Sequence, residues 1–178
     1  MIDPAIGTLL AGTFALLFAS AALHKVRDLA VFAEVLRAYR VLPQRLVVPW
    51  VLPLLEAGIA AGLLVPASRA AAALGGALLL VLYALAMALN LHRGRRDLSC
   101  GCGSFAERRP IAPWMVGRNA LLAAALVAVG LPWTARVLEP VDLMTVGAGV
   151  ALVTLLYMSA DRLLGRIAPQ SAAWEAWR

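Results

Sequence analysis

Long apolar runs alternate with short polar segments along almost the whole chain. Each of five runs has about the 20 residues that a helix needs to cross a hydrocarbon core of about 30 Å. Glycines within the third and fifth runs predict close contacts between helices, at Gly75, Gly76, Gly147 and Gly149. The runs lie near residues 4–24, 46–66, 70–92, 111–131 and 141–160. The pattern predicts an all-α integral membrane protein with five transmembrane helices.

Residues 28–42, between the first two runs, show a different pattern. Apolar side chains recur there at helical spacing, and charged side chains occupy the other side, as in an amphipathic helix. The apolar set is Leu29, Phe32, Val35, Leu36 and Tyr39, and the charged set is Asp28, Glu34, Arg37 and Arg40. Two interpretations stay open: a helix that lies in the membrane interface, or a connecting helix packed on the end of the bundle.

Composition also indicates a lipid environment. Hydrophobic residues make up 62% of the chain and the mean hydropathy is +0.83, whereas soluble domains are about 45–50% apolar. The net charge is +6, but the basic residues fall between the apolar runs and not on one face of a soluble fold, as nucleic-acid binding requires. The expected partner of these charges is therefore the anionic surface of a lipid membrane and not a nucleic acid.

The basic residues are distributed unevenly between the two sides of the expected membrane. Thirteen of the 16 Lys and Arg residues follow the first, third or fifth run. Arg69 and Arg136 lie on the opposite side, and Arg118 lies inside the fourth run. Because cytoplasmic loops carry the excess of Lys and Arg, we expect the N-terminus outside and the C-terminus in the cytoplasm. The first residues, 1–4, lack the basic region of a signal peptide, so the first run is expected to be a retained membrane helix.

The chain has two cysteines, Cys100 and Cys102, separated by Gly101 and followed by Gly103. Glycines allow backbone angles with positive φ and leave neighbouring sulfur atoms accessible. A disulfide across one intervening residue is tight, because bridged Cα atoms normally lie about 4.4–6.8 Å apart, and a strained disulfide is easily reduced. The arginines nearby lower the pKa of such thiols and favour the nucleophilic thiolate.

Three interpretations of this cysteine pair remain open. The first is thiol–disulfide exchange, with Cys100 and Cys102 as catalytic residues of an oxidoreductase. The second is the binding of a soft metal ion such as Cu(I) by the two thiolates, in a metal carrier or a membrane assembly factor. The third is a pair of inert thiols. Zinc is not expected, because a tetrahedral site takes four ligands and only His24 and His92 remain to complete it.

Six further polar residues are second-tier candidates for a functional site. Glu56 lies near the middle of the second run, where an ionised carboxylate is costly, so we expect it to be protonated or paired with Arg118 or Lys25. Its role is either proton handling or substrate orientation, or that of a polar clamp between helices. For His24 and Lys25 the alternative to a catalytic role is snorkelling at the interface. The full set is His24, Lys25, Glu56, Asn90, Arg118 and Asn119.

The order of these residues resembles that of known bacterial membrane proteins. In the first half it looks like the DoxX/MauE group, through His24-Lys25, Asp28, Phe32, Tyr39, Leu42-Pro43 and Glu56. In the second half it resembles the MauE (methylamine utilisation) family, through Asn90, Arg93-Gly94-Arg95, Cys100-Gly101-Cys102, Pro113-Trp114 and Arg118-Asn119. The Cys-Gly-Cys block just before the fourth helix is the most specific part of a resemblance that covers residues 10–130.

The resemblance implies a redox-associated four-helix transmembrane bundle over residues 1–135, with a fifth transmembrane helix and a cytoplasmic tail over residues 136–178. It also implies a location in the bacterial inner membrane and disulfide handling during the maturation of exported proteins, beside a thioredoxin-like partner. By analogy with the four-helix thiol oxidoreductases of the DsbB and vitamin K epoxide reductase kind, quinone is the cofactor to consider, although analogy of fold does not assign a function.

Sidedness constrains this function. An oxidase of exported proteins needs its cysteines on the oxidising side of the membrane, whereas the distribution of basic residues places residues 93–109 at the cytoplasmic end. Either the pair collects electrons from a cytosolic reductant and the bundle passes them outward, or the loop folds back into the bundle. The sequence leaves both arrangements open.

Overall fold

The chain forms a bundle of α-helices. The computed structural model describes residues 3–41, 48–99, 110–134 and 136–175, with side chains up to Gly165. Within these ranges there is an isolated bridge between Ser99 and Pro110 but no strand. The helices are α1 Pro4–Arg27, α2 Leu29–Tyr39, α3 Val51–Leu64, α4 Arg69–His92, α5 Pro113–Val129 and α6 Pro140–Glu175. The prediction of an all-α protein is confirmed.

Three segments of the described chain are long and apolar enough to cross a membrane: Pro4–Arg27, Arg69–His92 and Pro140–Gly165. The helices α3 and α5 are also apolar but have 14 and 17 residues, about 21 and 26 Å of helix at about 1.5 Å per residue. The second and fourth apolar runs therefore form helices shorter than expected. The chain is a helical membrane protein, and the count of five crossings stays a prediction.

Local interactions define the start of α1. The Asp3 carboxylate accepts a hydrogen bond from the Ala5 N–H at 2.8 Å, which satisfies one of the free donors of the first turn. Pro4 occupies the first helical position, where its missing N–H costs little. At the other end, Lys25 and Arg27 stand in the last turn, where positive charge favours the helix dipole. The helix thus begins where the sequence predicts and runs three residues past residue 24.

Four helices of the bundle converge on Gly76 of α4. A Cβ atom at this position would stand 2.7 Å from Leu126 of α5 and 3.1 Å from both Ile59 of α3 and Phe18 of α1. The close contact expected for the glycine pair of α4 is therefore made at Gly76, whereas a Cβ at Gly75 would meet nothing within 4 Å. The apolar core around this point includes Ala11, Phe14, Ala60, Leu63, Ala73, Leu80 and Val129.

The last helix, α6, packs along α1. Gly149 lies so close to Leu9 of α1 that a Cβ atom on the glycine would overlap the leucine side chain. Much of the remaining surface of α6 is apolar and exposed, as expected for a helix that faces lipid. The helix continues to Glu175 and does not end near residue 160. Asp161 lies within this helix, and its carboxylate is paired with Arg118.

The amphipathic segment forms α2. Its apolar residues Phe32 and Tyr39 are buried against the end of the bundle, while Glu34 and Arg37 are exposed. The apolar side of α2 is therefore used for contacts within the protein. This arrangement favours the interpretation as a connecting helix packed on the bundle over that of a helix whose apolar face lies in lipid.

Candidate functional site

Three polar side chains from three helices meet inside the bundle. Lys25 Nζ of α1 lies 2.6 Å from Oε1 and 2.8 Å from Oε2 of Glu56 in α3. The Tyr83 hydroxyl of α4 donates a hydrogen bond to Glu56 Oε1 at 2.9 Å. The Lys25 and Glu56 side chains are only 3% and 1% exposed. These three residues, termed the polar triad, therefore form a buried charged network that holds α1, α3 and α4 together.

The surroundings of the polar triad offset part of the cost of burying its charges. The Lys25 ammonium lies 5.6 Å from the ring centroids of both Phe32 and Tyr83, within the range of about 6 Å for cation–π attraction. A buried ion pair is tolerated when additional hydrogen bonds satisfy its remaining polar atoms, and the Tyr83 hydroxyl provides one. Lys25 is thus a buried partner of Glu56, and the expectation that it snorkels to the interface is wrong.

Arg118 has a different partner. It forms an ion pair with Asp161 of α6, and its guanidinium lies 5.4 Å from the ring centroid of Trp114. Of the two cations expected beside Glu56, Lys25 is the one that the fold brings there. The Arg118–Asp161 pair instead joins α5 to α6.

Asn90 is fully buried and joins α4 to the end of α2. Its Nδ2 donates to the carbonyl oxygens of Tyr39 at 3.1 Å and Ala86 at 3.0 Å. Its Oδ1 accepts from Arg95 Nη1 at 3.0 Å, and Arg95 Nη2 donates to the Ala38 carbonyl at 2.7 Å. The two α2 carbonyls belong to the last helical turn, where the helix itself offers no donor. Asn90 and Arg95 together with these two carbonyls are termed the α2 clasp.

Asn119 lies at the depth of the polar triad. It is 2% exposed, and its Nδ2 has no hydrogen-bond acceptor in the part of the chain that the structure describes. It follows Met115 by one turn of α5, and Met115 packs in one apolar cluster with Met87 of α4. The helices α4 and α5 run antiparallel, so the turn from Met115 to Asn119 along α5 corresponds to the turn from Met87 back to Tyr83 along α4. Asn119 therefore lies at the level of Tyr83.

His24 precedes Lys25 in the last turn of α1 and is partly exposed. Successive residues of a helix are turned by about 100°, so His24 is directed away from the polar triad. Of the six second-tier candidates, the fold thus joins only Lys25 and Glu56 to each other directly.

The Cys100-Gly101-Cys102 motif lies outside the described residues, but both ends of the segment that holds it are described. Ser99 and Pro110 form an antiparallel bridge, and the Ile111 N–H donates to the Leu98 carbonyl at 2.9 Å. Ile111 is buried in the same apolar cluster as the last residue of α2. The two ends of the segment therefore meet at one closed base, beside the α2 clasp.

Comparison with known proteins identifies the family. The family model described as Methylamine utilisation protein MauE matches residues 3–134. The chain belongs to the MauE family. The "Methylamine utilization protein MauE" of Paracoccus denitrificans is 38% identical over 177 residues, which cover 97% of this chain and 94% of the relative. Relatives of the same name from Methylorubrum extorquens and Paracoccus versutus are 38% and 42% identical, over 93% and 92% of this chain and 90% and 89% of their own lengths.

Membership of the MauE family confirms the resemblance to that family read from the sequence, while the resemblance to the DoxX-like group stays a prediction. The family model ends at residue 134, before α6, whereas the relative from Paracoccus denitrificans aligns with 97% of this chain. The alignment with that relative therefore extends into α6. No solved structure matches the chain.

Two residues that contribute to the candidate site were not among the sequence candidates. Tyr83 lies seven residues before Asn90, two turns away on the same face of α4, and this spacing is a signal from which its burial could have been inferred. Arg95 is one of five arginines within residues 93–109. It belongs to the Arg93-Gly94-Arg95 motif, but the sequence does not predict its contact, because its partner on α2 is 57 residues away along the chain.

Proposed function

We propose that this MauE-family chain performs thiol–disulfide exchange in the bacterial inner membrane, as an accessory protein of methylamine utilisation. The names of its relatives support the process, and the Cys100–Cys102 pair supports the chemistry. The observation that carries the proposal is the closed base between Leu98 and Ile111, which holds together the two ends of the segment with the cysteines. Because Cys100 is two residues from Leu98 along the chain, this base supports a position of the pair near one end of the bundle.

The exchange follows ordinary thiol chemistry. A thiolate of the pair attacks one sulfur of the partner's disulfide, which forms a mixed disulfide and releases the partner's other sulfur as a thiolate that takes up a proton. The second cysteine then loses its proton and attacks the mixed disulfide. The partner leaves as a dithiol, and Cys100 and Cys102 are left as a disulfide. Two electrons have passed from the pair to the partner, and a dithiol reductant returns the pair to its reduced form.

A thioredoxin-like protein is the partner that we propose, on the basis of the family resemblance. The asymmetry of basic residues supports a topology of five crossings with the N-terminus outside and the cysteine pair at the cytoplasmic end. Cytosolic dithiols are available as reductants at that end. Because this topology puts both cysteines of the chain at the cytoplasmic end, any transfer of electrons to exported proteins requires a further redox group on a partner.

The buried hydrogen-bond donors that the structure describes do not by themselves assign a quinone site. Asn119 Nδ2 and Trp114 Nε1 are buried donors of α5 for which the described residues provide no acceptor. They are five residues apart, about 140° around the helix axis. No step of the proposed exchange passes through a quinone.

The polar triad has the role of a clamp in this proposal. Lys25 donates to both carboxylate oxygens of Glu56, and Tyr83 donates to one of them. The carboxylate is therefore already occupied by donors from two other helices, which favours the clamp over the alternative role in proton handling. By fixing α1, α3 and α4 relative to one another, the triad gives the base of the cysteine segment a rigid support.

Thiol counting on the purified protein in lipid nanodiscs tests the exchange directly. Under a mild oxidant, both free thiols should disappear together without a covalent dimer, as measured by mass spectrometry after alkylation. Persistence of both thiols at a potential that oxidises glutathione would contradict the proposal. Tight stoichiometric binding of Cu(I) without thiol turnover would support the metal-carrier alternative instead.

Serine variants test the two-step mechanism. Cys100→Ser and Cys102→Ser should each abolish turnover, and the variant that keeps the attacking cysteine should accumulate a mixed disulfide with glutathione. Ser99→Ala is the matched control, since it changes a neighbouring side chain of similar size without removing a thiol, and it should turn over as the unmodified protein does.

A further inference from the structure

Four leucines form a row on the outer surface of α4. Leu78, Leu82, Leu85 and Leu89 follow one another at intervals of three or four residues, so they lie on one face of the helix. Each is between 39% and 61% exposed. Because α4 is long and apolar enough to cross a membrane, this leucine row faces lipid. It is about 16 Å long at about 1.5 Å per residue, which is close to half of a hydrocarbon core of about 30 Å and so to the depth of one leaflet.

The leucine row ends at a positive charge. Arg93 follows Leu89 by four residues and therefore lies one turn further along the same face, where it is exposed. The chain turns back directly after it, since Gly94 has a positive φ of 71° and the Arg95 N–H donates to the Asn90 carbonyl, as in a Schellman motif. The Arg93 cation thus lies where α4 leaves the apolar core, at the depth of lipid headgroups.

The α2 clasp brings a second exposed arginine to the same place. Asn90 Nδ2 donates to the Tyr39 carbonyl, Arg40 follows Tyr39, and Arg93 lies one turn after Asn90. Arg40 and Arg93, which are far apart in the chain, therefore occupy neighbouring positions, and we term them the arginine pair. Arg95 differs from both, because its guanidinium is already engaged with Asn90 and with a carbonyl of α2.

The charges of the arginine pair are not neutralised within the protein that the structure describes. Over residues 3–41, 48–99, 110–134 and 136–165, no carboxylate forms an ion pair with either arginine. Arg37 and Arg96, the exposed arginines beside the pair, are likewise without a carboxylate partner in these ranges. Glu34 and Asp97 are the exposed carboxylates of the same two elements, and they are fewer than the four arginines. The excess positive charge is therefore available to an anion from outside the chain.

We propose that the arginine pair and the leucine row form a binding site for one anionic phospholipid. The phosphate accepts charge-assisted hydrogen bonds from the two guanidinium groups, and the acyl chains lie along the leucine row. A membrane lipid fits better than free phosphate, because it carries its anionic group at the end of an apolar chain of this length. Such a site differs from the general attraction of basic loops to an anionic surface, since it depends on which arginines are present and not only on their number. The inference goes beyond the proposed thiol chemistry and does not depend on it.

Titration of the full chain with lipid in a neutral detergent tests the site, with native mass spectrometry to count the bound lipids. Phosphatidylglycerol is the anionic probe, and phosphatidylcholine with the same acyl chains is the zwitterionic comparison. One molecule of phosphatidylglycerol should bind more tightly than phosphatidylcholine. Arg40→Gln combined with Arg93→Gln should weaken this binding about tenfold or more, because each arginine beside an anionic headgroup contributes about fivefold.

The matched control removes the same charge elsewhere. Arg27→Gln combined with Arg162→Gln changes two exposed arginines of α1 and α6. Arg27 precedes α2, whose 11 residues separate it from Arg40 by about 16 Å of helix. This control should bind phosphatidylglycerol as tightly as the unmodified protein does.

Three results would overturn the proposal. Equal losses in the two double variants would show that net charge alone attracts the lipid. Equal binding of phosphatidylcholine and phosphatidylglycerol would show that the anionic group is not recognised. Displacement of the lipid by an equal concentration of glycerol 3-phosphate, which has no acyl chains, would show that the leucine row does not contribute. If the Arg40 and Arg93 double variant does not fold, Arg93→Gln alone is compared with Arg27→Gln, and only Arg93→Gln should weaken the binding.

Discussion

A carboxyl group enclosed in an apolar bundle is either protonated or paired with a cation, and Glu56 has Lys25 as its partner. The two side chains are almost completely buried, and the Tyr83 hydroxyl donates to the same carboxylate. The cost of separating the two charges inside the bundle is large, whereas the cost of replacing both by apolar groups is small. This difference allows the polar triad to be tested by substitution.

Glu56→Leu should lower the free energy of unfolding by about 3–5 kcal/mol, because it leaves the Lys25 charge buried without its partner. The double substitution Lys25→Met with Glu56→Leu should recover most of that loss, since two apolar side chains replace the pair. Unfolding titrations with SDS in mixed micelles measure both. A single variant as stable as the unmodified protein would show that the pair does not clamp the helices.

The exposed ion pair between Arg136 and Asp142 is the matched control for that experiment. Arg136 Nη1 lies 2.7 Å from Asp142 Oδ2, a contact as short as that of the polar triad. Exposed pairs contribute little because water screens them and their long side chains lose entropy. Arg136→Met should therefore leave the free energy of unfolding nearly unchanged.

Asp3 gives a prediction for pH. The Ala5 N–H, and after it the Arg136 guanidinium, hold the pKa of the Asp3 carboxyl below its ordinary value. A carboxyl that is more acidic in the folded state stabilises it above the unfolded pKa of about 3.9, and this contribution is lost as the pH falls through the lower folded value. Thermal unfolding of Asp3→Asn should thus differ most from the unmodified protein near neutral pH and converge with it in acid. A difference that stays constant down to pH values below about 3 would contradict this assignment.

At the scale of helices, the two adjacent glycines of α4 differ in their surroundings. A Cβ atom on Gly76 would collide with Leu126 and crowd side chains of two further helices, whereas a Cβ on Gly75 would meet open space. Gly76→Ala should lower the free energy of unfolding by about 1–3 kcal/mol through overpacking. Gly75→Ala should not destabilise the protein, because alanine is favoured over glycine in a helix. The same SDS titrations distinguish the two, and equal effects would show that α4 does not pack as described.

The short helix α2 shows what the spacing of apolar residues predicts about a helix and what it does not. The spacing of its apolar residues predicted a helix over residues 28–42, and Leu29–Tyr39 is helical. The period does not say what the apolar side faces, since lipid and a packed protein surface are both apolar. The buried Phe32 ring beside Lys25 provides that answer.

At the scale of the whole molecule, the asymmetry of basic residues predicts the sidedness of the cysteine pair. A membrane-impermeant maleimide should leave Cys100 and Cys102 unlabelled in spheroplasts and should label them in inverted membranes after reduction, because short loops rich in arginine stay in the cytoplasm. Mass spectrometry of the protein measures the labelling. Labelling from the outside would reverse the proposed topology and support an oxidase of exported proteins.

Two controls separate sidedness from burial. A tag on the C-terminal tail, which the same charge asymmetry places in the cytoplasm, reports the orientation of the membranes. Labelling after solubilisation in SDS shows that both thiols are reduced and reactive. Thiols that react only in SDS would support the alternative in which the loop folds back into the bundle.

Much of the architecture followed from the sequence alone. Helix formation within membranes is dictated locally, because an apolar run must satisfy its own backbone hydrogen bonds in lipid. The positions of α1, α2 and α4 were accordingly predictable, as was a buried partner for Glu56. The redox role of Cys100 and Cys102 also stays a prediction from the sequence, since both residues lie outside the described residues.

Only the tertiary structure decided which polar residues meet. From the sequence, either Arg118 or Lys25 could be the ion-pair partner of Glu56. Which of the two reaches the carboxylate depends on how each helix is rotated about its axis. That rotation is set by close contacts between helices, such as those at Gly76, which couple residues far apart in the chain. For the same reason the contact of Arg95 with α2 could not be predicted, because its acceptor comes into reach only when the bundle has formed.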